Sequence, residues 1–327
     1  MAKMKYAQAI AEALDEILAE DERATLIGAG FVGLTPSGAL LNPVREKYAS
    51  RIKYPPIAEL AYCGIGIGAA MAGLRPIVEL GTAAFSYEAI PQIVNEAAIA
   101  CSNSAGQTTV PIVFHMLYGI RGAGAVQHSA SPQAWYWNTP GLQVAVPGTP
   151  ADMKGLLRWA ALKSRNPTVF LNHQRLMETE GEVPDGPFDI EFGHADIARQ
   201  GKDVTIVATS IQVPRSLQAA EALARDGGID AEVVNVRTLQ PLDKATILGS
   251  VRKTGRVVVT DESHDDCGVA AGLAAIIADE GFDLLKAPIK RVSIPPVPIP
   301  YAQSMEDFVT PSPERIAATV RQLVAGR

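Results

Sequence analysis

Cysteine and charge of either sign are scarce in this sequence, and their scarcity excludes several classes of protein. The three cysteines, Cys63, Cys101 and Cys267, lie far apart without a CxxC pair, so we expect buried thiols in a reducing compartment rather than disulfides or a zinc site. Charged residues make up 20% of the chain, with 29 basic against 35 acidic. A net charge of −6 offers no basic face, so we expect no nucleic-acid or membrane partner.

Long apolar runs are also missing, and we expect no leader peptide at the start of the chain. No uninterrupted apolar run reaches the roughly 20 residues of a transmembrane helix. The opening stretch MAKMKYAQAIAEALDEIL contains Glu12, Asp15 and Glu16, and it lacks the apolar segment of a signal peptide. We therefore expect a cytoplasmic protein.

The motifs of two common catalytic classes are absent as well. No GxSxG occurs, which argues against a serine hydrolase. The five histidines have no metal-ligand spacing, so we predict no metal site in this chain. They are His115, His128, His173, His194 and His264.

Short apolar runs alternating with amphipathic segments fill most of the 327 residues. This alternation is typical of an α/β fold with a parallel sheet and helices on both faces. Helices are predicted over 5–20, 59–73 and 86–102, the last with Pro91 in its first turns. The polar, turn-rich stretch at 178–193 indicates a linker. We expect a domain at 1–180, a linker at 181–200 and a smaller α/β domain at 201–327.

The GIGIG of residues 64–68 allows two interpretations. A dinucleotide-binding loop would need a strand before it and an acidic residue about twenty positions later, and the preceding PPIAELAYC is not a convincing strand. The alternative, which we favour, is a helix whose small residues let another backbone approach closely.

Two polar residues stand in unusual surroundings. Glu59 begins a segment that is otherwise apolar on all sides, which indicates a buried helix; it either complements the helix dipole or has a chemical role. His128 lies in the loop GIRGAGAVQHSASP, which lacks large apolar side chains. A catalytic role is therefore more plausible for His128 than a place in the core.

Several segments together resemble one family. They are PIAEL, GAAMAGLRPIVEL, FSYEAIPQIVNEAA and AVQHSASPQAWY in the first half, and VVNVRTLQPLD and IPYAQSMED in the second. They resemble the beta subunit of the thiamine-diphosphate-dependent 2-oxo acid dehydrogenase component of the pyruvate, acetoin and branched-chain type. The resemblance implies a transketolase-like pyrimidine-binding domain followed by a transketolase C-terminal domain. It also implies decarboxylation of a 2-oxo acid, or cleavage of an acyloin, with transfer to an acceptor such as lipoyl.

The resemblance also assigns site residues. Glu59 matches the glutamate that hydrogen-bonds N1′ of the cofactor's aminopyrimidine, and Phe85 matches the aromatic that packs on this ring. Ile57, two residues before Glu59, is implied as a further cofactor contact. His128 matches the loop histidine at the substrate end.

Half of the cofactor site is missing from this sequence. In the family, a GDG…N element holds Mg²⁺ on the diphosphate, and no GDG occurs here. The resemblance therefore implies an alpha subunit that carries the Mg²⁺ site, an α₂β₂ heterotetramer, and a lipoyl acyltransferase as a further partner.

The chain departs from the family pattern at four places. Gly28-Ala29-Gly30 replaces GED, Pro55-Pro56 replaces Thr-Pro, Pro91 replaces an aspartate, and His115 replaces an arginine. These changes leave open a non-oxidative acyloin or ketol transferase subunit. A non-catalytic scaffold subunit and a dinucleotide-binding oxidoreductase remain as alternatives from other classes.

Overall fold

The computed structural model describes residues 1–28 and 36–326. Its strands are β1 (Ala2–Lys5), β2 (Ala24–Ile27), β3 (Ile52–Lys53), β4 (Arg75–Thr82), β5 (Val113–Tyr118), β6 (Gln143–Ala145), β7 (Thr168–His173), β8 (Glu180–Val183), β9 (Asp196–Arg199), β10 (Val204–Ala208), β11 (Ala231–Asn235), β12 (Thr238–Gln240), β13 (Val257–His264) and β14 (Lys290–Ile294). Its α-helices are α1 (Tyr6–Glu20), α2 (Asn42–Lys47), α3 (Glu59–Met71), α4 (Ala100–Asn103), α5 (Ala125–His128), α6 (Gln133–Trp137), α7 (Pro150–Leu162), α8 (Gln212–Gly227), α9 (Lys244–Thr254), α10 (Val269–Glu280), α11 (Gln303–Val309) and α12 (Pro313–Val324).

The first half is built on a seven-stranded sheet with the order β12-β6-β7-β5-β4-β2-β3. Strands β2 to β7 of this sheet pair in parallel, and β5 in its middle is buried along its whole length. Neighbouring residues of a strand face opposite sides: Val113 packs with α1 and α7, whereas Phe114 packs with α3. The sheet is therefore covered by helices on both faces, as predicted.

The second half carries a five-stranded sheet with the order β14-β13-β10-β11-β9. Its inner strands are parallel, and β9 runs antiparallel at one edge. Helices α8 and α12 pack together with β10 and β11 in one apolar cluster. The α/β class predicted from the alternating pattern is confirmed in both halves.

The two halves share structure that the sequence pattern did not indicate. Strand β12, from the second half, pairs antiparallel with β6 of the first sheet. The range 181–200, expected to be a linker, contains most of β8 and all of β9. Strand β8 forms a ribbon with β1 at the start of the chain, with Ala2 opposite Val183. Edge strands of three or four residues are too short to leave a clear hydrophobic period.

In two stretches, the secondary structure differs from the predicted one. The helix expected over 86–102 is a 3₁₀ segment at Ala83–Ala89, a π-helical turn at Pro91–Ala97 and the short α4. Pro91 has no N–H to donate, so a regular helix cannot continue through it. The glycines and prolines of residues 29–55 predict a long loop, but the structure has a 3₁₀ segment at Pro36–Leu41, then α2 and β3; residues 29–35 lie outside the described part.

Helix α3 is not buried on all sides within this chain. Tyr62, Cys63 and Ile67 face the sheet, but Leu60 and Ile65 on the other side are 47% and 58% exposed. The helix forms the outer layer over one sheet face, so a second element would be needed to cover its far side. Among the described residues, no helix is both long and apolar enough to cross a membrane.

Candidate active site

Glu59 is the first residue of α3, where its carboxylate complements the positive end of the helix dipole. It is half-buried. Burial, together with the nearby Glu59 carboxylate, raises the pKa of the Cys63 thiol to about 12. Burial and the same carboxylate raise the pKa of Tyr62 well above its usual value. Both side chains therefore stay protonated at neutral pH.

The GIGIG sequence lies inside α3 and not in a loop between a strand and a helix, which rules out the dinucleotide-binding interpretation. At Gly66, an added Cβ would stand 2.5 Å from Cγ2 of Val78 in β4. Gly66 therefore allows α3 to approach the sheet closely. This agrees with the interpretation of GIGIG as part of a helix whose small residues let another backbone come near. Gly68 faces open space in this chain.

Phe85 belongs to the 3₁₀ segment Ala83–Ala89, which follows β4 directly. The buried Glu79 carboxylate fixes the end of β4 by accepting a hydrogen bond of 2.9 Å from the Gly81 amide. Within the segment, the Ser86 hydroxyl donates to the Ala83 carbonyl at 2.5 Å and accepts from the Tyr136 hydroxyl at 2.5 Å. These buried bonds hold the segment rigidly while the Phe85 ring remains partly exposed.

His128 ends the short helix α5 and meets Phe85 edge to face, with ring centroids 5.5 Å apart. Its Nδ1 accepts a hydrogen bond from the Arg121 guanidinium, which lies in the same loop. Burial and the Arg121 charge both lower the pKa of His128. The imidazole is therefore neutral at neutral pH.

The segment Ala83–Ala89 brings the sequence-predicted residues together, because it packs against both α3 and α5. Phe85 thus lies between the helix that begins with Glu59 and the helix that ends with His128. Ile57 is 89% exposed in the turn before α3. The arrangement offers an anion, an aromatic face and a neutral imidazole on one side of the first half.

Sequence analysis missed Glu79 and Arg121. Glu79 is the only charged residue between Arg75 and Glu88, which is the same signal that singled out Glu59. Arg121 is the one charged side chain in the small-residue loop of His128, and this signal was also available. Their contacts could not be predicted, because both depend on where other strands and loops lie.

The departures at Pro91 and His115 lie in two different elements of the first half. Pro91 begins the π-helical turn. His115 is fully buried in β5, where its Nε2 meets the Asn172 amide and burial lowers its pKa to about 3. Of Gly28-Ala29-Gly30, only Gly28 lies in the described part. Among the described residues, no three His, Cys, Asp or Glu side chains are grouped to hold a metal ion.

A groove of about 850 Å³ lies at the junction of the two halves. It is lined by Trp135 and Trp137 of the first half and by His264, Cys267 and Gly272 of the second. Glu59, Phe85 and His128 do not line it. The predicted site residues therefore lie outside this groove.

Comparison with known families matches both halves. Residues 2–179 match the transketolase pyrimidine binding domain, and residues 193–316 match the transketolase C-terminal domain. In a solved structure described as a split gene transketolase, inactive beta4 tetramer, the same fold occurs with a TM-score of 0.81 and 22% identity over 99% of both chains.

Relatives of known function are similar over nearly the full length. The beta subunit of acetoin:2,6-dichlorophenolindophenol oxidoreductase from Cupriavidus necator is 39% identical, over 99% of this chain and 98% of its own. The 2-oxoisovalerate dehydrogenase beta subunit from Bacillus subtilis is 38% identical over 99% of both chains. The mitochondrial pyruvate dehydrogenase E1 component subunit beta-2 from Oryza sativa is 39% identical, over 98% of this chain and 86% of its own. The chain belongs to the transketolase-like family of 2-oxo acid and acetoin dehydrogenase beta subunits.

Proposed function

We propose that this chain is the beta subunit of a heteromeric enzyme that uses thiamine diphosphate to decarboxylate a 2-oxo acid or to cleave an acyloin. The acyl or aldehyde unit then passes to an acceptor such as lipoyl. The observation that carries the proposal is the contact of His128 with Phe85, which belongs to a segment packed against the helix that begins with Glu59. The names of the relatives support the same class of reaction.

The residues present fit the aminopyrimidine half of that cofactor. A half-buried carboxylate at a helix N-terminus can share a proton with a ring nitrogen, and a partly exposed phenyl ring offers a face for stacking. When bound, thiamine diphosphate supplies a nucleophilic carbon for attack on the carbonyl and an electron sink for decarboxylation.

Each site residue then has a distinct task. Glu59 holds and releases the proton at N1′ of the aminopyrimidine, and Phe85 stacks on that ring. Ile57 adds an apolar contact beside Glu59. His128, neutral and next to Phe85, would donate or move a proton at the reacting carbonyl.

The diphosphate end of the cofactor would be held by an alpha partner. This sequence has no GDG…N element, so we assign the Mg²⁺ site to the partner and an α₂β₂ assembly to the complex. The exposed apolar side of α3, with Leu60 and Ile65, supports a partner surface close to Glu59. Apolar residues clustered on an exposed helix face are typical of subunit interfaces.

The first prediction concerns Glu59→Gln in the complex reconstituted with its alpha partner. The amide keeps the shape and a hydrogen bond but cannot exchange a proton with N1′. We expect hydrogen–deuterium exchange at C2 of bound thiamine diphosphate to slow by about 10²–10⁴-fold, the usual contribution of a general acid–base. Exchange is measured by NMR after acid quench.

Glu22→Gln is the matched control, because Glu22 is an exposed glutamate in the turn after α1. It should leave the exchange rate unchanged. If Glu59→Gln assembles normally and exchanges at the wild-type rate, Glu59 is a helix-terminal acid only and the proposed mechanism is wrong.

A further inference from the structure

The loop that carries His128 is held by carboxylates of the second half. Glu306 in α11 is fully buried and accepts hydrogen bonds from the Ala123 amide at 3.0 Å and the Gly124 amide at 3.3 Å. Glu262 in β13 accepts another from the Ile120 amide at 2.7 Å. Hydrogen bonds to a charged acceptor are stronger than those between neutral groups, so these contacts restrain the loop at its start and its middle.

The backbone of this loop needs such restraint. Ala123 and Ala125 have φ of 51° and 50°, in the left-handed region that residues with a side chain rarely adopt. Gly122 between Arg121 and Ala123 is also left-handed, with φ of 93°. A strained conformation persists only where surrounding contacts determine it, and the Glu306 carboxylate contacts the strained turn directly.

The restrained loop brings Arg121 against His128. A guanidinium has donors and no acceptor, so the Nδ1 that faces Arg121 carries no proton. In a neutral imidazole the proton is then on Nε2. Within the described part of the chain, no carboxylate lies within ion-pair distance of Arg121, so the guanidinium is available to the imidazole.

The charge environment supports a neutral ring. Arg121 is the charged group that faces His128, and the adjoining segment Ala83–Ala89 presents the uncharged Phe85 ring. Burial and the Arg121 charge both lower the pKa of His128. The unprotonated Nδ1 and the neutral ring together make Nε2–H a hydrogen-bond donor.

We propose that Glu306 is a positioning residue: it holds the loop in the conformation in which Arg121 meets Nδ1 of His128 and fixes the proton on Nε2. The use of this Nε2–H in catalysis rests on the proposed function, whereas the positioning of the loop by Glu306 does not. Glu306 acts through the loop and does not touch the reacting atoms.

The test compares Glu306→Gln with Asp307→Asn in the full chain. The glutamine places an NH₂ group against one of the two loop amides, so exchange of the Ala123 and Gly124 amides should rise by roughly tenfold or more. Exchange is followed by mass spectrometry on peptides covering 119–128. Asp307 is exposed on the same helix, where it accepts from the Gln303 side chain, and its variant should exchange as wild type does.

Ring ¹⁵N NMR of histidine-labelled full chain gives the second readout. Wild type and Arg121→Lys should show a protonated Nε2 and an unprotonated Nδ1 for His128 at neutral pH. Arg121→Met should raise the pKa of His128 and mix the two tautomers, without faster loop exchange. Glu306→Gln should change both loop exchange and the ring signals, and His128→Gln assigns the signals.

Three results would overturn the proposal: wild-type His128 protonated on Nδ1, no faster exchange in Glu306→Gln, or faster exchange with unaltered ring signals. Should the glutamine variant fail to fold, Glu306→Asp, which draws the carboxylate back by one methylene, carries the same expectation. Neither readout needs the cofactor, so both test the positioning by Glu306 independently of the proposed function. The proposed function is tested only by the rate of exchange at C2 of bound thiamine diphosphate.

Discussion

At the scale of single residues, Gly119 decides whether the two halves can meet. Its φ is 87°, and an added Cβ would lie 2.1 Å from Nε2 of His173 and 2.8 Å from Oε1 of Glu262. Those two atoms are hydrogen-bonded to each other at 2.6 Å in a fully buried contact. Only a residue without a side chain fits at this place.

We predict that Gly119→Ala lowers the free energy of unfolding by at least about 3 kcal/mol, because backbone strain adds to the loss of the buried hydrogen bond between His173 and Glu262. Gly228→Ala is the control: its φ is 62°, but no atom would meet the new Cβ within 4 Å. The control substitution should lower the free energy of unfolding by about 1 kcal/mol. Urea unfolding measures both variants, and equal losses would show that conformation alone matters at Gly119.

At the scale of elements, α3 has two apolar faces, and the described residues of the chain cover one of them. Tyr62, Ile67 and Ala70 pack on the sheet, while Ile65 is 58% exposed. Burial of a helix on all sides requires neighbours on all sides. The sequence prediction of a fully buried helix was therefore wrong for this chain, although it indicated the apolar surface correctly.

We predict that Ile65→Glu leaves the fold intact and weakens assembly with the alpha partner by at least about tenfold, because an unpaired charge would be buried at the interface. Phe282→Glu is the control, since Phe282 is 74% exposed in the second half. Thermal unfolding checks the fold, and analytical ultracentrifugation measures assembly. Wild-type assembly of Ile65→Glu would show that this face stays uncovered in the complex.

At the scale of the whole molecule, a buried ion-pair network joins the two halves. Glu262 accepts hydrogen bonds from His173 of the first half at 2.6 Å and from Arg215 of the second at 2.8 Å. Burial by itself would raise the pKa of Glu262, but His173 and Arg215 outweigh it and lower the pKa to about 2. The carboxylate thus connects β7, α8 and the start of the His128 loop.

We predict that Glu262→Gln lowers the free energy of unfolding at pH 7 by about 3 kcal/mol, the value of a pKa shift from 4.5 to about 2. Because the pKa of Glu262 is lower in the folded state than in the unfolded state, the ionised carboxylate stabilises the fold at pH values above the unfolded-state pKa. This contribution is complete above about pH 4.5 and is lost as the pH falls towards 2. Urea unfolding at several pH values should show wild type and variant converging in acid.

The control for this prediction is Glu280→Gln, which removes an exposed pair with Lys244 of 2.5 Å. Exposed pairs contribute about 0–1 kcal/mol, so the control should have little effect at any pH. A Glu262→Gln variant as stable as wild type at pH 7 would contradict the ascribed role.

Two residues of the candidate site, Glu59 and His128, stand out in the sequence because they lie in segments with local signals. Glu59 precedes an apolar helix, and His128 lies in a loop of small residues; both places are evident from the printed order alone. The edge-to-face meeting of Phe85 and His128 could not be derived, because 43 positions separate them and their distance depends on how β4 and β5 pair. The hydrogen bond from Arg121 to His128 depends on a turn in which Ala123 and Ala125 are left-handed, and alanine does not signal that conformation.

The sequence by itself determined the α/β class, the helices at 6–20 and 59–71, and the family, because hydrophobic period and ordered motifs are local properties of a chain. The tertiary structure alone decided that β12 joins the first sheet, that Glu262 and Glu306 reach the loop of His128, and that one face of α3 stays open. Each of these depends on contacts between residues far apart in sequence. Such contacts arise only when whole sheets pack, so no short window of residues encodes them.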